Sequence, residues 1–134
     1  MKLHGYCLCF RQTAMIKKVN FGNAFDSISD YWSPKIAGEL NRQHVKLAKL
    51  KGEFVWHKHD QEDELFLVIS GELIIELRDK KLVLKEGEMV IILKGVEHKP
   101  VAENEVDILL FEPISTLNTG EVSSDLRKEN LDWI

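Results

Sequence analysis

The sequence predicts an all-β domain of consecutive antiparallel strands, and three observations carry that expectation. Between residues 36 and 112, short apolar segments rich in Val, Ile, Leu and Phe follow one another. Gly, Asp, Asn and charged residues break them at close intervals, which is the rhythm of strands joined by tight turns. No stretch between them carries the spacing of an amphipathic helix, so each strand must turn one face toward a shared core, as in a sandwich or a closed barrel.

Taken in order, residues 21–29 are expected to hold a short helix or turn, with Phe25, Ile28, Tyr31 and Trp32 covering one barrel end. Strands are expected at 36–40, 44–50, 53–59, 65–69, 73–77, 81–85, 89–93, 99–102 and 106–112. Turns fall at 51–52, 60–63, 70–71, 78–80, 86–88, 94–97 and 103–105, each marked by Gly, Asp, Asn or charged residues. A last helical turn is expected over 124–131, with Ser124 as its N-cap and Leu126, Leu131 and Trp133 docking on the barrel. Residues 1–14 read as an extension with little structural role, because Met15-Ile16-Lys17-Lys18-Val19 looks like a second, more ordinary start; 15–134 then form one domain.

At 134 residues a single domain can bury roughly two-thirds of its unfolded surface, enough for one real core without staples. The net charge is −4, with 18 basic residues scattered among 22 acidic ones, which argues against nucleic acid and anionic membranes as partners. Cys7 and Cys9 are too few and too local for a disulfide framework, so a reducing cytoplasm is the expected setting. As a pair they lack the further ligands a firm metal site needs. No apolar run approaches the length of about 20 residues that crosses a bilayer, and the opening segment lacks a leader's cleavage pattern.

The chemistry concentrates in a few residues. Side chains two apart on a strand share a face, so His57 and His59 project to one side, roughly 6.6 to 7 Å apart along the backbone. Val55 shares that face, with Phe54, Trp56 and Lys58 opposite. Glu64 opens the next strand after the turn at 60–63 and brings a carboxylate near the pair. His98, three residues past Gly95, supplies a third imidazole from a separate strand. Three imidazoles and a carboxylate suit iron, manganese, nickel, cobalt, zinc or copper, and leave two positions of a six-coordinate ion open. Such an ion with one Glu carries a net charge of about +1, apt for an enolate, carboxylate or hydroxy-ketone oxygen.

At these residues the chain resembles the cupin superfamily. Its first motif is Gly, five residues, His-x-His, three or four residues, Glu, six residues, Gly; His57, His59, Glu64 and Gly71 fall in that register. Its second is Gly, five residues, Pro-x-Gly, two residues, His, three residues, Asn; Gly87, Gly95 and His98 match. The departures touch turns rather than ligands: Gly52 stands one residue too close to His57, Leu93 replaces the Pro, and Ala102 replaces the Asn. The resemblance covers about residues 45–113 and implies a double-stranded β-helix, a jelly-roll barrel, holding one divalent metal on His57, His59, Glu64 and His98. The tail, Glu112-Pro113 and then Leu117-Asn118-Thr119-Gly120, is similar to stand-alone bacterial cupins labelled mannose-6-phosphate isomerase-like; that label is analogy, and the isomerase reaction is not transferred.

Two functional expectations follow. One is a metalloenzyme acting on a small oxygen-bearing metabolite, by isomerisation or by oxygenation; the other is a non-catalytic module in which the metal fixes a small ligand or braces the barrel. An apolar lining is expected from Phe66, Val68, Leu109 or Phe111. His44, Glu97, Lys99 and Asp107 are surface residues first and supporting contacts second. Asp60, Glu62 and Asp63 form a solvated turn or accept the second ring hydrogen of His59. A homodimer is expected, since the family often pairs its barrels and a small barrel must cover its sheet edges.

Overall fold

The computed structural model describes residues 16–134. The expected extension at 1–14, with Cys7 and Cys9, lies outside the described residues. Helix α1 (Phe21–Asp26) starts where the Asn20 side chain accepts the Asn23 N–H at 2.9 Å. It packs on the outside of the sheet, where Ala24, Phe25 and Ile28 bury against Leu47. Trp32 turns into the barrel instead. Tyr31, expected beside it, is exposed and donates its hydroxyl to Glu105 at 3.1 Å.

Among the described residues seven strands take the place of the nine expected: β1 (Lys35–Leu40), β2 (Gln43–Glu53), β3 (Glu64–Ser70), β4 (Glu72–Leu77), β5 (Lys81–Lys85), β6 (Met89–Ile92) and β7 (His98–Pro113). They pair in the order β1-β2-β7-β3-β6, with β4 joining β7 to β5, and every pairing is antiparallel. β1 and β2 meet at a two-residue hairpin in which Asn41 and Arg42 are both left-handed, φ 50° and 64°, as a type I′ turn requires.

The difference in count has a local cause. The expected turn at 51–52 is a bulge inside β2: Gly52 takes φ 86°, and the ladder with β7 resumes at the Gly52–Ala102 pair. Opposite it, 103–105 loop outward without ending the strand, so the expected strands at 99–102 and 106–112 are one. The strand expected at 53–59 forms no ladder past Glu53. There the chain is held by Phe54 N–H donating to Pro100 O at 2.9 Å and by a single bridge between His57 and His98.

Strand alternation then sorts the side chains. Ala48, Leu50, Phe66, Val68, Leu73, Ile75, Val106, Ile108 and Leu110 fill the barrel interior, joined by Trp32 and Phe54. Past β7 no helix forms over 124–131. A single turn replaces it, in which Ser124 Oγ accepts Leu126 N–H and Ser124 O accepts Arg127 N–H, both at 3.1 Å. Leu126 docks on the core as expected, whereas Trp133 stays 44% exposed and lies edge-on to His44 at 5.9 Å. The tail is pressed onto the barrel at Gly120, where φ is 59° and a Cβ would collide with the Lys58 carbonyl oxygen.

Candidate metal centre

Three separate segments bring the four expected residues together. The 57–59 segment runs beside the start of β7, where His57 N–H donates to His98 O at 3.0 Å and His98 N–H to His57 O at 2.9 Å. The turn before β7 is tied back to the same segment by Gly95 N–H donating to His59 O at 2.8 Å. Glu64 begins β3 on an inward position, with its backbone opposite Ile92 of β6. The Asp63 carboxylate holds the approach by accepting Lys94 N–H at 2.8 Å.

Each of His57, His59, Glu64 and His98 is 4% exposed or less, and one candidate ligand atom from each lies within 4.8 Å of all the others. Glu64 Oε1 stands 3.3 Å from His98 Nε2 and 3.5 Å from His59 Nε2. The His57 Nδ1–H donates to Val55 O at 2.8 Å and the His98 Nδ1–H to Val96 O at 2.9 Å. A neutral ring that donates from Nδ1 presents a bare lone pair at Nε2. The centre therefore gathers lone pairs and a carboxylate in a buried space. Both ring nitrogens of His59 are buried without a hydrogen-bond partner. Buried polar atoms are rarely left in that state, and a divalent cation at the focus would satisfy the His59 nitrogen that faces Glu64, 3.5 Å away. The donor set fits such an ion.

Electrostatics follow from burial. Desolvation, with His98 beside it, pushes the His57 imidazole from its ordinary 6.5 down to about 4, which keeps it neutral and ligand-ready. Burial alone would raise Glu64; its neighbours Glu112, His59 and His98 outweigh it and hold that carboxyl well below the usual range. Glu112 moves the other way. Burial first, then the charge of Glu64, lift it well above the usual range against the pull of Lys46. Lys46, 3% exposed, donates to Glu112 Oε1 at 2.7 Å, so the cation that opposes this rise is held against Glu112 inside the barrel, next to the centre.

Several supporting roles drawn from the sequence are not those seen. Phe54, placed on the far side of His57 by strand alternation, lies edge-on to its ring at 5.3 Å, because the segment is not a strand and strict alternation does not apply. The apolar wall beside the centre is formed by Trp32, Ala48, Leu50, Phe54, Phe66 and Leu110, with His57, Glu64, Glu112 and Asn118 as polar members. Phe66 was expected; Val68 is core but not wall, and Leu109 and Phe111 sit on the opposite face of β7. Asp60 pairs with Lys58 at 3.3 Å, Glu62 accepts from Ser115 at 2.9 Å, and Asp63 faces Lys94, so this run does not orient His59. His44, Glu97, Lys99 and Asp107 pair with Glu39, Arg78, Glu53 and Lys49 at 3.5, 2.9, 3.1 and 3.0 Å, away from the centre. Lys46 and Glu112 were missed. Their signal was available: each is a charged residue two positions from an apolar inward one, Ala48 in β2 and Leu110 in β7.

The cupin domain family matches residues 43–112, a little over half of the chain, and the protein belongs to it. The seven antiparallel strands of its described residues are those of a double-stranded β-helix. A cupin-2 domain protein of Shewanella frigidimarina is 46% identical, with a TM-score of 0.70 over 76% of this chain and 97% of that one. A Neisseria meningitidis protein is 28% identical, with a TM-score of 0.67 over 72% of this chain and 99% of that one. The Bacillus subtilis protein YdbB is 45% identical over 62 residues, 46% of this chain; the match spans 55% of that relative's length.

Proposed function

We propose that the protein is a metal-dependent enzyme acting on a small oxygen-bearing metabolite, of the isomerase or dioxygenase type. One divalent ion would be held by His57, His59, Glu64 and His98. The observation that supports this reading is the buried convergence of their donor atoms, with both His59 nitrogens unpartnered. An ion there supplies Lewis-acid polarisation of an oxygen, or activation of dioxygen.

The remaining work belongs to the chain. Trp32 and Phe54, stacked 4.8 Å apart, and Phe66 keep water from the centre. Glu112 and Asn118 offer the polar contacts that would orient a ligand. The cavity is about 40 Å³, room for only a few non-hydrogen atoms beside the ligand set. A cytoplasmic setting belongs to the same proposal and is supported by cysteine usage; no helix among the described residues is long and apolar enough to cross a membrane.

A second reading, a non-catalytic module whose metal fixes a small ligand or braces the barrel, is favoured by one observation. The four residues are almost wholly buried, and the tail contributes Asn118 to the cavity wall. Anaerobic purification followed by metal identification separates the readings. Oxygen uptake or product formation with diols, keto acids or sugar phosphates supports the enzyme. Metal-centred spectral change without turnover, under any metal, supports the module, and failure to bind metal contradicts both.

A further inference from the structure

The cavity beside the metal centre has a larger neighbour. A second pocket, of about 110 Å³, lies where the tail crosses the barrel, between residues of β1 and β2 on one side and 114–131 on the other. It shares Pro34 and Asn118 with the inner cavity. Lys46 lines the outer pocket and Glu112 the inner one, so their 2.7 Å contact stands on the boundary between the two. Ile36, Leu117 and Leu131 give the outer pocket an apolar wall.

Lys46 sets its chemistry. The residue pairs with Ile36 of β1 across the ladder and is 3% exposed. An ammonium group carries three N–H donors and no acceptor. Among the described residues this one makes a single hydrogen bond, to Glu112. Its other donors are left without a protein partner in a buried position, where a charged donor is costly to leave unmatched. The charge is felt on the pocket side, since burial first and then Lys46 hold the His44 imidazole of the same lining below its ordinary value.

The rest of the lining narrows the guest. Thr116 gives its hydroxyl proton to Pro113 O at 2.8 Å and Ser115 gives its own to Glu62 at 2.9 Å, so neither donates into the pocket. His44 faces Glu39 at 3.5 Å, and Glu129 faces Arg127 at 3.1 Å. Lys128 adds an exposed cation to the lining. A sugar would find few donors here, and a phosphate would bring more charge than one buried ammonium in an apolar wall can match. A single negative charge on a short hydrocarbon chain suits both features.

We propose that the outer pocket binds a short aliphatic acid, with the carboxylate on Lys46 and the chain against Ile36, Leu117 and Leu131. The anion site itself stands without a metal. Joined to the metal-dependent reading, on which this further step rests, it assigns the substrate class of that centre: short acids carrying an oxygen function, with the carboxylate on the outer side of the boundary.

Butyrate is the probe, butyramide its neutral match and inorganic phosphate the competing anion. Each is titrated into the chelator-treated full chain, with binding read by calorimetry and by amide resonance shifts. Butyrate should bind saturably and shift the amides of Lys46, Leu117 and Leu131, and the other two should not. Lys46→Met should weaken butyrate binding at least about tenfold. That change strands Glu112, so Lys46→Met with Glu112→Gln, which should show the same loss, keeps the test valid if the single variant misfolds. No butyrate binding, equal binding of butyramide, tighter binding of phosphate, or butyrate binding that survives the double change would overturn the proposal. These titrations contain no metal, so their failure removes the anion site and leaves the enzyme reading to the turnover assays.

Discussion

His57 and His98 are backbone partners across the barrel mouth, each N–H donating to the other's carbonyl at 3.0 and 2.9 Å, with ring centroids 4.3 Å apart. Two ligands far apart in the chain are thus fixed by main-chain bonds that side-chain substitution leaves intact. The consequences can be measured separately.

The first concerns pH. The folded chain holds His57 at about 4 against an ordinary 6.5, so the unfolded state binds its proton first as pH falls. The stability is fully present above pH 6.5 and is lost progressively down to pH 4; the gap corresponds to about 3 kcal/mol. Urea unfolding in the presence of a chelator should show this decline. In His57→Gln the slope between pH 6.5 and 4 should be shallower.

The buried contact of Lys46 with Glu112 makes a second expectation. Lys46→Met leaves Glu112, 2% exposed, beside Glu64 without its cation, and should cost about 3 kcal/mol, at the lower end for a broken buried pair. Lys46→Met with Glu112→Gln should recover most of that loss, because removing both charges is far cheaper than stranding one. Denaturant midpoints across the double-mutant cycle check this. Additive costs would show that the pair is not coupled.

A third concerns the tail. Gly120→Ala meets both a left-handed φ of 59° and the Lys58 carbonyl, so the tail should lift from the 57–59 segment. Hydrogen exchange should accelerate over 114–131 while β2 and β7 keep their protection. Unchanged exchange in the tail would contradict the close approach.

How much of this was legible follows from what each signal reports. The two-residue alternation and the glycine turns revealed the all-β fold, because apolar faces must meet in one core whatever the connections. His57, His59, Glu64 and His98 were legible because their spacing is tied to turns, and Gly71 and Gly95 do sit at positive φ in those turns. Strand continuity was not legible. Lys51-Gly52 and 103–105 carry turn residues, but here they buckle two long strands that stay paired, and only the partner strand decides between a turn and a bulge. The contact of Lys46 with Glu112 escaped for a different reason: each is in phase with apolar inward residues, Ala48 and Leu110, but a charged residue on a strand was taken as outward. Ser124 behaves as a cap accepting Leu126 N–H, but the residues after it bind Asn118 instead, through Leu126 O and Lys128 N, and no helix propagates.

The central claim is that four buried donors share one cation. Metal content of the untagged wild-type chain, measured beside His57→Ala and Glu64→Ala, tests it most directly. About one divalent ion per wild-type chain is expected, with loss in both variants and the β-sheet circular dichroism retained. Equal metal content in all three proteins, or none in the wild type after purification with iron, manganese, nickel, cobalt, zinc and copper each supplied, would contradict it.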